Sequence, residues 1–88
     1  MIIDPNDFEN FYNILTAVVV PRPIAFVSSI STGGSVNLAP FSFFNAVSGY
    51  PPTIVISIGH HSNGKMKDTL ENILETKEFV VNAVVDDI

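Results

Sequence analysis

Half of the cations in this chain stand in one loop. The 88-residue sequence contains four Lys and Arg in all, Arg22, Lys65, Lys67 and Lys77, and two of them, Lys65 and Lys67, directly precede a helix signal at Asp68-Thr69. A helix N-terminus carries about half a positive charge and several N–H groups without intrahelical partners. Two lysines beside such an end make an anion site, and phosphate is its usual occupant. Asp68 or Thr69 reads as the helix cap, and the Thr69 hydroxyl could serve a phosphate oxygen at the same time. Two solvated loop lysines before an ordinary cap account for the same residues without a ligand.

A second stretch mixes small polar and aromatic residues: Asn37-Leu38-Ala39-Pro40-Phe41-Ser42-Phe43-Phe44-Asn45-Ala46-Val47-Ser48. A Ser or Asn in a partly buried segment must find hydrogen-bond partners. A flat heteroaromatic ligand with donors and acceptors along one edge would satisfy them, and the Phe rings would supply an apolar wall. Alternatively, Phe41, Phe43 and Phe44 are core and the polar side chains bond to turns. The pair His60-His61 has no HExxH or CxxC companion, so metal ligation has little support, and a contact at a site rim suits the pair better. A Ser-His-Asp triad is possible by composition, but no nucleophile elbow is present. Neither GxGxxG nor a Walker motif occurs, which disfavours a Rossmann or P-loop nucleotide site.

The elements that must position these residues follow from periodicity and punctuation. Asp4-Pro5 is a helix start, and Phe8, Phe11, Tyr12 and Leu15 fall on one face of a short helix. The β-branched Val18-Val19-Val20 favours extended chain, and Pro21 and Pro23 exclude helix. Ile24 to Ile30 and Val36 to Ala39 read as a hairpin around the five-residue loop Ser31 to Ser35, which holds two glycines. Pro40 ends pairing there or sits on an edge. Ser48 to Pro52 reads as a turn, Thr53 to Ile58 as a strand and Gly59 to Lys67 as a polar loop. A helix follows with Leu70, Ile73 and Leu74 as its apolar stripe, and Glu78 to Val85 is the last strand. The order helix, hairpin, strand, strand, helix, strand suggests a mainly β barrel or sandwich with peripheral helices.

Composition narrows the function. The chain is 47% hydrophobic with seven Phe and a mean hydropathy of +0.37. A domain of this size buries only about 60–65% of the surface its unfolded chain exposes. So apolar a chain either pairs with another subunit or is part of a longer domain, and the apolar run Phe79 to Val85, close to the end, favours the second expectation. A net charge of −5 lacks the electrostatic footprint for nucleic acid and is repelled by anionic lipid. With no cysteine, disulfides, thiolate metal sites and a Cys nucleophile are excluded. The first residues carry acid and no basic region, so no signal peptide is expected, and no apolar run reaches the ~20 residues of a membrane span. A cytoplasmic protein is the default expectation.

Several motifs together resemble the flavin reductase-like domain family. They are Val20-Pro21-Arg22-Pro23-Ile24-Ala25-Phe26-Val27-Ser28-Ser29, the Asn37 to Ser48 stretch, Gly64-Lys65-Met66-Lys67-Asp68-Thr69, Asn72-Ile73 and Glu78-Phe79-Val80-Val81-Asn82, in order from about residue 15 to the end. The resemblance implies one partial domain over 1–88: an FMN-binding split β-barrel, apparently truncated, usually homodimeric, with FMN near the subunit interface. It implies that Ser42 to Ser48 runs along the isoalloxazine ring, with Ser42, Phe43, Asn45 and Ser48 at the cofactor. It also implies that Lys67, Asp68 and Thr69 lie at the phosphate, in the same loop where Lys65 and Lys67 concentrate charge. Arg22 either supports the site or braces the hairpin. The function expected is an oxidoreductase, a flavoprotein passing hydride from NAD(P)H to flavin, with no side chain needed as a proton-transfer catalyst. The alternatives are a non-catalytic FMN-binding electron carrier and a dimerising barrel remnant.

Overall fold

The computed structural model of the chain describes residues 4, 6 and 8–84. Helix α1 spans Phe8–Val18; strands β1 Ala25–Ile30, β2 Val36–Phe41, β3 Phe44–Gly49 and β4 Pro52–Ile56 follow; then come helix α2, Asp68–Thr76, and strand β5, Val80–Asn82. This is the expected order of a mainly β chain with two helices. Pro5 and Val85, named above as ends of elements, lie outside the described residues. No helix among the described residues is long and apolar enough to cross a membrane.

The strands form two antiparallel groups, a three-stranded sheet in the order β2-β1-β5 and a β3-β4 pair. β1 is central, and its alternation buries Ala25, Val27 and Ser29 on one face. The β1-β2 loop is the expected five-residue turn: the Ser31 and Gly34 amides donate to Ser35 O at 2.8 Å and Ser31 O at 3.0 Å, and Gly34 takes φ 91°. β2 runs two residues beyond Ala39, through Pro40, which pairs with Phe26. β2 is an edge strand, so a residue without an N–H is tolerated there. The core joins the two groups: Ala25, Val27 and Phe41 are buried, with Ala39, Phe44, Ile56 and Ile58 packed against them.

Three expectations change. Val18 belongs to α1, and Val19 N still donates to Leu15 O at 2.9 Å. Arg22 Nη1 donates to the carbonyls of Thr16 at 3.2 Å and Val19 at 3.0 Å, satisfying helix-end acceptors that a Val-rich segment would otherwise leave to water. Second, the strand counted between the hairpin and β4 is Phe44–Gly49, and it runs into the segment from Ser48 read as a turn. Its register moves from Ala46↔Ile54 to Ser48↔Thr53, a bulge at Val47 that breaks the period-two pattern.

Third, neither Asp68 nor Thr69 caps α2. Lys67 is the N-cap, without a side-chain cap bond. Thr69 lies within the first turn at 1% exposure, and its Oγ1 accepts from Asn37 Nδ2 at 2.7 Å. A bond to a residue 32 positions away has taken the hydroxyl from its local role. The helix is rolled accordingly. Thr69 and Asn72 are its buried residues and Leu74 is half exposed, because Asn72 Nδ2 donates to Ser29 Oγ at 3.1 Å on the buried face of β1.

Candidate functional site

Phe43, between β2 and β3, makes two ring contacts. Its ring stacks on Tyr12 of α1, with centroids 5.9 Å apart and planes 25° apart. The Arg22 guanidinium lies 5.4 Å from the ring centroid, within cation–π range. Prolines at 21 and 23 keep this segment extended, and the carbonyls of Thr16 in α1 and of Val19 just after it hold the guanidinium in place. Beside this stack is a cavity of about 520 Å³ bordered by Arg22, Ser42, Phe43, Phe44, Asn45 and Ser57, among others. That volume lies within the roughly 300–1,000 Å³ of small-molecule sites.

A second cavity, of about 420 Å³, shares Ser42, Phe43 and Ser57 with the first and adds Tyr12 and Lys67. A third, of about 280 Å³, shares Pro40, Phe41 and Lys67 with the second and extends to His61, Asp68 and Thr69. Shared lining residues set the three side by side as adjoining hollows of one groove-like row, from Arg22 past Phe43 to the N-terminus of α2. The wall at the Arg22 end is mostly apolar, the middle carries the hydroxyls of Tyr12, Ser42 and Ser57, and a cation borders each end. At the α2 end the amides of Asp68, Thr69 and the next residue have no intrahelical acceptor by helix geometry; the first intrahelical bond is Glu71 N to Lys67 O at 3.1 Å.

The residues singled out from sequence divide into three sets. Ser42 and Phe43 border both larger cavities, and Lys67 joins them at the second. Asn45 borders the first, although its Oδ1 accepts from the Ala46 amide at 2.9 Å. Asp68 and Thr69 border the third. Lys65 and Ser48 border none of the three. Lys65 belongs to a tight turn in which His61 N donates to Lys65 O at 2.9 Å. Ser48 sits beyond the bulge of β3 and accepts from Tyr50 N at 3.2 Å. Arg22, expected to support the site or brace the hairpin, borders the groove, and so does His61 of the pair expected at a site rim. Tyr12 and Ser57 border it without having been assigned to it, and Ser57, within a segment read as a strand, carried no signal at all.

The donor set fits a flat ring with an anionic tail: aromatic and aliphatic walls, hydroxyls in the middle, a lysine and free amides at one end. Residues 17–88 match the model of the flavin reductase like domain, and the chain belongs to that family. Its fold is that of part of a flavin reductase-like barrel.

Particular relatives extend the comparison. The chain is 45% identical over 87 residues to an uncharacterized protein of Aquifex aeolicus, covering 99% of this chain and 44% of that protein. It is 49% identical over 84 residues to the uncharacterized protein YwrF of Bacillus subtilis, covering 91% and 40%. Among solved structures, nitrilotriacetate monooxygenase component B from Bacillus cereus superposes with a TM-score of 0.85 at 40% identity, over 98% of this chain and 43% of that one. The 2-nitrobenzoate 2-nitroreductase of Pseudomonas fluorescens gives 0.79 at 40% identity, over 100% and 43%. The chain thus spans less than half the length of these relatives.

Proposed function

We propose that the groove holds FMN and that the protein serves NAD(P)H-dependent flavin reduction. The observation that carries this reading is that Lys67 borders the same cavity as Ser42 and Phe43 and also the adjoining one at the α2 N-terminus. Lys67 and the amides of Asp68 and Thr69 would bind a phosphate carrying about −1.5 to −2 charges at neutral pH. The Asp68 carboxylate opposes an anion, so its contribution there is its backbone amide. Phe43 would form the ring's apolar wall, with Ser42 and Asn45 offering hydrogen bonds to its polar edge. A bound flavin supplies the two-electron acceptor for hydride from a reduced nicotinamide; the side chains bind, orient and exclude water. Such a protein belongs in the cytoplasm, where reduced nicotinamides are made.

A homodimer is part of the proposal, because apolar residues such as Ile54, Val55, Val80 and Val81 stand exposed on the strands. One further reading is an FMN-binding electron carrier, since the residues assigned here all serve the flavin and none a nicotinamide. Titration with FMN, followed by quenching of flavin fluorescence, tests the shared claim. Saturable quenching is expected, with affinity falling roughly tenfold or more in Lys67→Ala through loss of a charge-assisted bond. Unchanged affinity in Lys67→Ala removes the phosphate assignment. Oxidation of NADH or NADPH by the loaded protein separates the reductase from the carrier.

A further inference from the structure

Of the two cations that border these cavities, Arg22 is the one the phosphate assignment leaves unused. It lies at the opposite end of the groove from Lys67 and borders the largest cavity, beside Phe43. It is half-buried, and no carboxylate pairs with it among the described residues. Its two hydrogen bonds both leave from Nη1, to neutral backbone carbonyls, while Nε is shielded from water and has no partner among the described residues. A guanidinium stays charged throughout the physiological range. Withdrawing it from water without a counter-charge is unfavourable, and a buried polar group left unpaired in a native fold calls for an explanation. Bracing α1 through neutral carbonyls leaves the guanidinium charge, beside a cavity, without a counter-charge among the described residues.

We infer that Arg22 is a binding residue for the electron-rich edge of the ring, and that it makes the site hold the reduced cofactor more tightly than the oxidised one. This inference rests on the FMN reading above. It assigns the ring to the Arg22–Phe43 end and the phosphate to the Lys67 end. Two-electron reduction adds negative charge to the ring system, and a fixed cation in a low-dielectric wall favours the more negative state. The ring stays at Phe43 in both states; Arg22 distinguishes them by charge. The consequence for function is a resident cofactor that is retained once reduced.

The test compares FMN affinity under air with affinity after anaerobic reduction by dithionite, and the midpoint potential of the bound cofactor, in wild type, Arg22→Gln and Arg22→Lys. Wild type should bind reduced FMN more tightly. Arg22→Gln should lower the reduced-over-oxidised preference about tenfold, the loss expected for one charge-assisted bond, and so lower the midpoint potential by about 30 mV for a two-electron couple. Arg22→Lys keeps the charge and should keep most of the preference. A residue that only braces α1 would lower the thermal midpoint and weaken both redox forms equally; an unchanged preference in a folded Arg22→Gln overturns the inference and leaves FMN binding standing. Wild type that binds FMN in neither state overturns both.

Discussion

Thr69 shows how one side chain can be claimed by two roles. By type and position it suits a helix cap or a phosphate donor. In the fold its oxygen accepts from Asn37, tying α2 to the edge strand β2. Replacing it with Val keeps the shape and removes the acceptor, leaving the Asn37 amide without its partner. Thr69→Val should lower the unfolding free energy by about 1–3 kcal/mol, the usual cost of orphaning a buried polar group, read as a lower urea midpoint. Thr69→Ser should recover most of that loss. Asn72 with Ser29 is the same device 43 positions apart. Both contacts join residues whose types are plain in the sequence, but only the packing of α2 on β1 and β2 brings them together. For that reason the helix's apparent apolar stripe did not identify its buried face.

At the scale of elements, α2 ends on Lys77, whose φ of 63° places a side-chain-bearing residue in the left-handed region while its amide donates to Ile73 O. Glycine suits that position without steric cost. Lys77→Gly should therefore stabilise the chain by up to about 1 kcal/mol, measured by denaturant titration, whereas Gly34→Ala, at φ 91° in the β1-β2 turn, should destabilise it by a similar amount. The hairpin, the β4 segment and the existence of α2 were legible because Gly, Pro and alternation mark them locally. The bounds of β3 were not, because its bulge shifts the side-chain alternation within six residues. The extra turn of α1 was hidden too, since it depends on Arg22 reaching back to two carbonyls.

For the whole molecule, the radius of gyration is 15.3 Å, against about 12 Å for a compact domain of this length. The core holds few fully buried apolar side chains, and Val80, Val84, Val36 and Leu38 stand largely exposed around the three-stranded sheet. Apolar area of this extent is stabilised by cover, at about 25 cal/mol per Å² removed from water. Sedimentation velocity should show a dimer at micromolar concentration, with a thermal midpoint that rises with protein concentration. A monomer with a concentration-independent midpoint counts against the homodimer. High salt should weaken FMN binding through Lys67 while leaving that association largely intact, since screening acts on charge and not on apolar burial.

Local chemistry in the sequence by itself determined the class of fold, the hairpin, the cationic loop before α2 and the family, because turn residues, periodicity and ordered motifs act over short distances. Tertiary structure alone decided that Lys67 and Ser42 border one groove, that Thr69 is buried rather than capping, that Ser48 and Lys65 stand apart, and that Arg22 faces the far end. Those outcomes depend on which sheet faces meet. Residues such as Thr69 and Asn37, far apart along the chain, become neighbours only when β1 buries its alternate side chains beneath α2.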